Sequence, residues 1–324
     1  MTDHIVIGGA GFIGSHLVRR LLAGDDGAGV TVFDNFSSGR TGHLEPVAGD
    51  PRLRIVRGDV KDLDGLAEAV RGHAIAFLLA SNPDIARAAT DPAIDFWEGT
   101  YLVQNTLEAC RLAGVERLVY ASGSGVYGDQ GEHELDESFG PLLPVSTYGA
   151  SKLAGEALIS AYCHLFGLRG VAFRFANVVG PRQTHGVVYD FVRKLLRDPT
   201  RLEVLGDGQQ SKSYIHVDDI LDAVLLLAAD LPERFDVFNA ATEDYVTVRE
   251  IAALVVKAMG LAGVHVEFGQ TRGGWKGDVP IVRFSSAKLR GRGWRSRRSS
   301  RDALADSARA ILVEAQAERE AAPR

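Results

Sequence analysis

The fold is decided by residues 4–17, HIVIGGAGFIGSHL. Residues 4–7 are a short, mostly apolar run typical of a buried strand, and an amphipathic helix follows through Leu22. Between them lies the glycine-rich segment GGAGFIG, residues 8–14. Glycines there permit a tight turn and let backbone N–H groups approach a pyrophosphate, and the helix N-terminus favours the anion. The order strand, glycine turn, helix therefore predicts a dinucleotide site contacted by Gly8, Gly11, Phe12, Ile13 and Gly14.

The residue that ends the next strand indicates which dinucleotide binds. A second apolar run covers residues 30–33, and Asp34 follows it, twenty residues after Gly14. A carboxylate at this point accepts hydrogen bonds from a ribose 2′-OH and repels a 2′-phosphate, which predicts NAD rather than NADP. The tripeptide GDV, residues 58–60, follows a third apolar run. Its Asp59 is expected to contact the adenine amino group or, alternatively, to be a helix cap or loop aspartate.

Strands and helical patterns alternate over the first half of the chain. This alternation predicts an α/β fold of the Rossmann type, a doubly wound parallel sheet with helices on both faces. After Asn177 the loops lengthen, which indicates a smaller, interleaved C-terminal substrate-binding domain. We expect the NAD-binding domain to cover 1–177, with 213–240 returning to it, and the substrate-binding region to cover 178–212 and 241–324. The expected strands are 4–7, 30–33, 53–56, 74–79, 117–121 and 170–175, and the expected helices are around 62–71, 98–113 and 148–166.

Composition narrows the class of protein. The 324 residues carry a formal net charge of −6, which argues against a general nucleic-acid binder. No apolar run reaches the roughly 18 residues that span a bilayer, so we expect a cytoplasmic protein without a membrane partner. The two cysteines, Cys110 and Cys163, are expected to be buried and reduced. His185 and His216 lack the spacing of metal ligands, and no metal site is predicted.

The segment STYGASK, residues 146–152, carries the predicted chemistry. On a helix Tyr148 and Lys152, four positions apart, share a face. An isolated tyrosine has a pKa of about 10 and is a poor base at neutral pH. An ammonium roughly 4 Å away, at an effective dielectric constant of about 20, contributes on the order of 4 kcal/mol, or about three pKa units. We therefore expect Lys152 to bring the pKa of the Tyr148 phenol near neutrality, so that Tyr148 acts as a base.

Motifs along nearly the whole chain resemble one family, the extended short-chain dehydrogenase/reductases of the nucleotide-sugar epimerase/dehydratase group. They occur here in that family's order: GGAGFIGSHL (8–17), DNFSSG (34–39), GDV (58–60), VYG (126–128), YGASK (148–152), RFANVVGPR (174–182), LGDGQQSKSYIHVDD (205–219) and KGDVP (276–280).

The resemblance implies a set of roles for this chain. Tyr148 would be the base and Lys152 would bind the nicotinamide ribose, with a diphosphate-linked sugar, most typically a UDP-sugar, over the nicotinamide. Asn177 and the beginning of the helix at Val187 would contact the substrate diphosphate and base. The further expected cofactor contacts are Asn35, Ser37, Gly39, Asp59, Val60, Leu79, Ala80, Ser122, Tyr148, Lys152 and Phe175. The expected substrate contacts are Gly123, Ser124, Tyr148, Asn177, Val187, Val188, Leu205, Lys212, Trp275 and Asp278.

Two departures from the family pattern bear on catalysis and binding. The family places Ser or Thr three residues before the valine of VYG, to hydrogen-bond the sugar 4-OH, and this chain has Gly123 there. Ser124 is our candidate substitute and is predicted to be catalytic, although Ser122 or a water can also fill the place. In the expected diphosphate clamp, Lys212 stands where relatives have arginine, so that it pairs with a phosphate without the bidentate fork. Arg272 or Lys276 is expected to supply the second cation.

Three functions remain open at this point. In 4-epimerisation, Tyr148 takes the 4-OH proton while NAD takes the C4 hydride, and the 4-keto sugar receives the hydride back on its other face. Dehydratases of the family carry Asp-Glu before VYG, and decarboxylases carry Glu. This chain has Ser124-Gly125 there, and the absence of these carboxylates argues against both alternatives. A protein that binds NAD and a nucleotide sugar with weakened turnover is the third alternative, because of Gly123.

Two further features concern assembly and charge. The helices around 98–113 and 148–166 carry apolar stripes, which in this family pair into a dimer interface, so we expect a homodimer. The alternative is that the stripes only face the sheet. Residues 285–301 are rich in arginine, which we interpret as a solvated basic face beside a C-terminal helix, with anion binding as the alternative.

Overall fold

The computed structural model describes residues 3–24 and 27–321 of the chain. Its strands are β1 (His4–Ile7), β2 (Val30–Asp34), β3 (Leu53–Arg57), β4 (Ile75–Leu78), β5 (Arg117–Gly123), β6 (Glu134–Leu135), β7 (Arg169–Phe175), β8 (Asn177–Val179), β9 (Arg201–Val204), β10 (Ser211–Lys212), β11 (Tyr214–His216), β12 (Phe235–Ala240), β13 (Val246–Thr247), β14 (His265–Phe268) and β15 (Arg283–Phe284). Its α-helices are α1 (Phe12–Leu22), α2 (Leu63–Val70), α3 (Tyr101–Ala113), α4 (Thr147–Phe166), α5 (Val187–Arg197), α6 (Val217–Ala229), α7 (Val248–Ala258), α8 (Ala287–Gly291) and α9 (Ser300–Ala321).

The expected α/β architecture is confirmed by a seven-stranded sheet in the order β12-β7-β5-β4-β1-β2-β3. The neighbouring strands from β7 to β3 pair in parallel, with His4 opposite Ile75 on one side and Val30 on the other. The chain runs outward from β1 through β2 to β3, then returns to place β4 on the other side of β1. The order of strands therefore reverses between β1 and β4, which is where open α/β sheets bind ligands at the carboxyl ends of their strands.

The predicted elements of the first half are present with small shifts at their ends. Strands β1, β2 and β4 are buried at every position, as strands covered on both faces should be. The helix expected from residue 98 begins at Tyr101, because a π-helical turn at Phe96–Thr100 contains the non-helical Glu98 (φ −99°, ψ 15°). Both cysteines are free and buried, as expected.

The chain divides into two compact units. The first comprises the residues up to Val126 together with Gly140–Phe175 and Leu221–Phe238, and it contains most of the large sheet. The second comprises Tyr127–Phe139, Ala176–Ile220 and the residues from Asn239 onward. The segment Tyr127–Phe139 groups with the second unit, which no sequence pattern indicated.

The second unit has its own core, in which α5, α7 and α9 pack together around Val188, Ile251 and Leu304. Its strands form two-stranded sheets, of which β8–β11, β9–β14 and β6–β15 are parallel and β10–β13 is antiparallel. Among the described residues, no helix combines the length and apolarity needed to cross a bilayer.

The arginine-rich segment is in part the solvated basic face that was expected, since Arg292, Arg295, Arg297 and Arg301 are exposed. Arg298 lies 3.3 Å from the buried Asp219 and 3.2 Å from Asp306. Arg290 pairs with Glu243 at 2.6 Å. These two arginines are half-buried, and acidic side chains from elsewhere in the second unit neutralise them.

A buried ion pair joins α4 to the sheet of the first unit. Arg174 of β7 donates to Glu156 of α4 at 2.7 Å, and the two side chains are 4% and 5% exposed. Ser122 at the end of β5 donates to the same carboxylate at 2.6 Å. A buried charge is tolerated only when it is paired and hydrogen-bonded, so these contacts fix α4 over the carboxyl ends of two strands.

Replacing one partner of this pair should destabilise the fold strongly. In the Glu156→Gln variant, Arg174 would remain buried without its counter-charge, so we expect the free energy of unfolding to fall by about 3–5 kcal/mol. Urea denaturation measures this change. Ser122→Ala is the matched control, because it removes one hydrogen bond to the carboxylate and should cost less, about 1–3 kcal/mol. Equal losses for the two variants would contradict a dominant role of the ion pair.

Candidate active site

The glycine turn after β1 packs so closely against neighbouring backbone that a side chain would not fit at Gly8 or Gly14. Gly8 has φ +85°, and a Cβ there would lie 2.6 Å from the backbone nitrogen of Ala80. A Cβ on Gly14 would lie 2.2 Å from the Gly8 carbonyl oxygen. Helix α1 begins after Gly11 without a side-chain cap and without an acidic residue in its first turn. The first backbone N–H groups of the helix, from Phe12 to Gly14, are therefore available to donate hydrogen bonds to a bound anion.

Asp34 at the end of β2 is buried and is tied to this turn. Its Oδ2 accepts a hydrogen bond from the Ala10 N–H at 2.9 Å, and its Oδ1 accepts one from the Phe36 N–H at 2.8 Å. Gly39 packs against the same carboxylate, since a Cβ there would lie 2.9 Å from Oδ1. Each carboxylate oxygen has a second lone pair, so Asp34 keeps the capacity to accept ribose hydroxyls.

The loops after β2 and β3 contact each other. Asn35 donates from Nδ2 to Oδ2 of Asp59 at 3.2 Å, and its own Oδ1 accepts the Ser37 N–H. Oδ1 of Asp59 accepts the Lys61 N–H at 2.9 Å, as a loop aspartate would. Val60 is buried. Two of the predicted cofactor residues, Asn35 and Asp59, thus support each other's loops.

The features of the first unit described so far fit a dinucleotide. Three features lie at the carboxyl edge of the sheet: a turn with no room for a Cβ at Gly8 or Gly14, an uncapped helix N-terminus, and a buried carboxylate one strand away. Leu79 and Ala80 follow β4, and the Ala80 backbone borders the cradle at Gly8. The arrangement matches what a pyrophosphate and an adenosine ribose require.

Tyr148 and Lys152 lie on one face of α4, whose first turn is capped by Ser146 accepting the Gly149 N–H at 3.1 Å. Lys152 is buried and donates from Nζ to the Ala121 carbonyl at 2.8 Å. Its Nζ lies 5.4 Å from the centre of the Tyr148 ring. The spacing predicted from the sequence is thus present in three dimensions.

The expectation that Lys152 brings the Tyr148 pKa near neutrality was wrong. Burial raises the pKa of Tyr148 to about 12, the Ser81 hydroxyl acts to lower this pKa, and the Asp95 charge acts to raise it. Burial also lowers the pKa of Lys152 to about 8, against the nearby charges of Asp95 and Glu156. The physical reason is desolvation, together with an ammonium directed at the Ala121 carbonyl.

A buried carboxylate beside this pair was missed by the sequence reasoning. Asp95 is 1% exposed and accepts hydrogen bonds from Asn82 Nδ2 at 2.8 Å and from Thr147 Oγ1 at 2.7 Å. Thr147 immediately precedes Tyr148, so Asp95 joins the segment after β4 to the beginning of α4. The only sequence signal was an acid within the apolar run AIDFW, residues 93–97.

The segment that ends β5 contains the predicted substitutes for the missing hydroxyl. The Ser122 hydroxyl donates to Glu156, so the backbone of Ser122 is the part that is left to contact a cofactor. Gly123 is buried, and a Cβ there would meet no atom within 4 Å. Ser124 begins the 3-10 turn Ser124–Tyr127 and is half-buried. Phe175 pairs with Gly123 in register across β5 and β7 and is buried.

The second unit brings several of the predicted substrate residues together. Lys212 Nζ lies 2.7 Å from Oδ1 of Asp278, whose Oδ2 accepts the Gly274 N–H at 2.9 Å. The same ammonium lies 5.5 Å from the centre of the Trp275 ring, which is 42% exposed. Two residues predicted to bind substrate therefore bind each other, because a lysine and a nearly buried carboxylate are adjacent.

Other predicted substrate residues are separate from that cluster. Asn177 lies on β8 and donates to the Ser213 carbonyl at 3.4 Å. Val187 begins α5, whereas the side chain of Val188 is fully buried in the second core and can offer only its backbone. Leu205 is 58% exposed after β9.

Comparison with known proteins establishes the family. The model of the NAD dependent epimerase/dehydratase family matches residues 4–241. The chain belongs to this family. It is 35% identical over 293 residues to a UDP-glucose 4-epimerase of Mycolicibacterium smegmatis, covering 88% of this chain and 90% of the relative. It is also 31% identical over 280 residues to a dTDP-glucose 4,6-dehydratase of Streptomyces griseus, covering 85% and 84%.

A solved structure supports the same assignment. The chain resembles the UDP-glucose 4-epimerase of Thermus thermophilus in complex with NAD, with a TM-score of 0.85 and 32% identity over 96% of this chain and 99% of that one. NAD is the cofactor of the family and of this member, as Asp34 predicted.

The lowered pKa of Lys152 makes the stability of the protein depend on pH. The unfolded chain holds this proton up to about pH 10.5, and the folded protein holds it only up to about pH 8. Between these values the unfolded state binds more protons, so stability rises with pH, and below pH 8 the fold carries the full cost of a buried ammonium. The Lys152→Met variant should therefore be more stable than the natural chain at pH 7, by about 1–3 kcal/mol.

The advantage of the variant should decline as the pH rises from 8 to 10.5. Urea unfolding of both proteins across this pH range measures the difference in their free energies of unfolding. The contributions of the other titratable groups largely cancel in this difference, because the two proteins share those groups. A stability difference that does not change with pH would contradict the burial of a charged Lys152.

Proposed function

We propose that the protein is an NAD-dependent 4-epimerase of a nucleotide-diphosphate sugar, with UDP-glucose and UDP-galactose as the first pair to test. The observation that carries the proposal is the combination of Tyr148 and Lys152 on one face of α4 with a β5 end that lacks carboxylates. The residues before Val126 are Ser124 and Gly125, where the family's dehydratases and decarboxylases carry acids. The relatives include UDP-glucose 4-epimerases and dTDP-glucose 4,6-dehydratases, and this difference favours the epimerases.

The first unit would hold the cofactor through the residues already described. The turn from Gly8 to Gly14 and the N-terminus of α1 would bind the pyrophosphate, and Asp34 would accept the adenosine ribose hydroxyls. Lys152 would donate to the nicotinamide ribose. When bound, NAD supplies a hydride acceptor for sugar C4 and a hydride donor for the resulting 4-keto sugar.

Tyr148 would hold the transferred proton. In the forward half of the cycle its Oη accepts the proton of the sugar 4-OH, and in the return half it gives a proton back to the new 4-OH. Because burial raises the Tyr148 pKa, the phenolate needs positive charge or hydrogen-bond donors close by. Lys152 is the nearby cation from the chain itself, and its pKa of about 8 keeps much of it charged near neutral pH.

The second unit would bind the nucleotide part of the substrate. Lys212 is the candidate for the diphosphate, with Trp275 and Leu205 exposed beside it for the base or ribose. Binding energy drawn mainly from the nucleotide leaves the sugar free to turn over, which a 4-epimerase requires and which a tightly held sugar would prevent.

The decisive experiment follows conversion of UDP-glucose, UDP-galactose and dTDP-glucose by NMR, with NADH absorbance recorded in parallel. We expect the 4-epimer of a UDP-sugar and no net NADH. The Tyr148→Phe variant should be slower by about 10²- to 10⁴-fold, since it lacks the group that transfers the proton. Tyr162→Phe, on the same helix with its hydroxyl bonded to Gln104, is the matched control and should keep its rate.

Each other product would overturn the proposal in a different way. A deoxy-keto sugar from dTDP-glucose would identify a dehydratase, and a pentose from a UDP-uronic acid would identify a decarboxylase. No conversion across the panel, with NAD still bound, would identify a binding protein.

We also propose that the protein is a homodimer through α3 and α4. Helix α4 presents an apolar stripe to solvent at helical spacing, and α3 presents a second one that continues from the π-helical turn. The α4 stripe is Ala150, Ala154, Ala157, Ala161 and Leu165, all at least partly exposed. The α3 side includes Trp97, Tyr101 and Leu112, of which Trp97 is 49% and Leu112 is 56% exposed.

A charge in the middle of the α4 stripe should disrupt this assembly. We expect the Ala157→Arg variant to be monomeric by size-exclusion chromatography with light scattering, and the natural chain to be dimeric, because an unpaired charge would be buried between the copies. Val313→Arg, at an exposed apolar position on α9, is the matched control and should stay dimeric. A monomeric natural chain would overturn the proposal.

A further inference from the structure

The Lys152 ammonium is buried between two aromatic rings. Lys152 is 3% exposed, and its Nζ lies over both rings, 5.1 Å from the centre of Tyr120 and 5.4 Å from the centre of Tyr148. A cation within about 6 Å of a ring centre, over the face of the ring, is attracted by the negative charge of that face. Tyr148 belongs to the proposed catalytic pair, whereas Tyr120 lies on β5, outside the pair.

Packing holds the Tyr120 ring beneath the ammonium. Tyr120 is 2% exposed in the middle of the sheet, where it lies opposite Leu78 of β4 and Ala172 of β7. Helix α4 approaches the ring closely at Gly155, since a Cβ there would lie 2.6 Å from the Tyr120 Oη. Gly155 comes three residues after Lys152, so both lie on the same face of α4. The core of the first unit therefore fixes the ring relative to the ammonium.

The ammonium needs stabilising partners because the burial of a charge is costly. Its Nζ donates to the Ala121 carbonyl at 2.8 Å, which is a neutral acceptor. Burial lowers the pKa of Lys152 to about 8, against the charges of two carboxylates. The titratable groups that face the ammonium are Asp95, Glu156, Tyr120 and Tyr148.

An aromatic face suits this position better than a further carboxylate. A carboxylate in place of the Tyr120 ring would stabilise the ammonium, but its charge would also raise the pKa of the Tyr148 phenol. Asp95 already acts on Tyr148 in this way. Burial raises the pKa of Tyr120 well above its ordinary value, so this ring stays neutral. The ring therefore supports Lys152 without opposing a phenolate at Tyr148.

We propose that Tyr120 is a positioning residue whose ring face holds the Lys152 ammonium, in its charged form, beside Tyr148. Tyr120 belongs to the buried core of the first unit and acts through Lys152 rather than on the substrate. The inference rests on the proposed function only for its effect on the rate, because the contact between ring and ammonium does not depend on which reaction the site performs.

The pKa of Lys152 tests the contact without any turnover. It is measured in the NAD-bound protein by NMR titration of lysine labelled with carbon-13 at Cε, and the Lys152→Met variant identifies the signal. In Tyr120→Leu we expect this pKa to fall by about one unit, a loss of about tenfold in proton affinity, because a desolvated cation loses its ring face. Tyr120→Met fills more of the vacated space and should show the same fall, also where Tyr120→Leu does not fold.

Two control variants separate the ring face from the packing. Tyr120→Phe keeps the ring and removes only the hydroxyl, so it should keep the natural pKa of Lys152. Phe77→Leu removes a fully buried ring from β4, where Phe77 lies opposite Val119 and therefore on the other face of the sheet from Tyr120. It should destabilise the fold and leave the Lys152 pKa unchanged.

The pH profile of the rate tests the consequence for the proposed reaction. Since that reaction needs a charged Lys152, the alkaline limb of the kcat profile of Tyr120→Leu should begin about one pH unit lower than that of the natural chain, with KM little changed. Tyr120→Phe should restore the natural profile.

The outcomes separate this inference from the proposed function. An unchanged Lys152 pKa in Tyr120→Leu and Tyr120→Met, or an equal fall in Tyr120→Phe or Phe77→Leu, would overturn the role of the ring. A natural chain that converts no sugar would overturn the proposed function, while the NMR titration would still report whether the Tyr120 ring stabilises the charged Lys152.

Discussion

The fold depends on one close approach, in which the first turn of α1 touches the glycine turn after β1. No side chain fits between Gly14 and the Gly8 carbonyl, since a Cβ would lie 2.2 Å from that oxygen. This contact directs the N-terminus of α1 toward the carboxyl edge of the sheet, where the order of strands reverses between β1 and β4. Asp34 then reaches back to the Ala10 N–H and holds the turn from the next strand. The same few atoms therefore close the fold and shape the cofactor cradle.

The sequence predicted this half of the protein well because its signals are local. A glycine turn between strand and helix, an acid at the end of the next strand and a Tyr–Lys pair one helical turn apart each depend on residues that are near in sequence. The structure confirms the strands and helices of the first half, and the family comparison confirms NAD. The helix near residue 98 was placed too early because Glu98 leaves helical geometry within an apolar, helix-like pattern.

Contacts between distant residues could not be predicted in the same way. Asp95 and Thr147 are 52 positions apart, and Lys212 and Asp278 are 66 apart, so no periodicity relates them. The prediction about the Tyr148 pKa failed for a related reason. It counted the attraction of one nearby charge and omitted the cost of removing both groups from water, which depends on the packing of the whole site.

Burial gives the proposed catalytic pair an electrostatic problem, because it raises the Tyr148 pKa to about 12 and lowers that of Lys152 to about 8. Both shifts favour the neutral forms, whereas the proposed proton transfer from a sugar would require the charged ones. Buried carboxylates near the pair support the ammonium, and Asp95 also opposes the phenolate. Hydroxyl donors are then the means by which the chain can stabilise a phenolate without adding another charge. This chain has Gly123 where the family places such a donor, so a phenolate at Tyr148 would depend on Lys152 and on donors from elsewhere in the site.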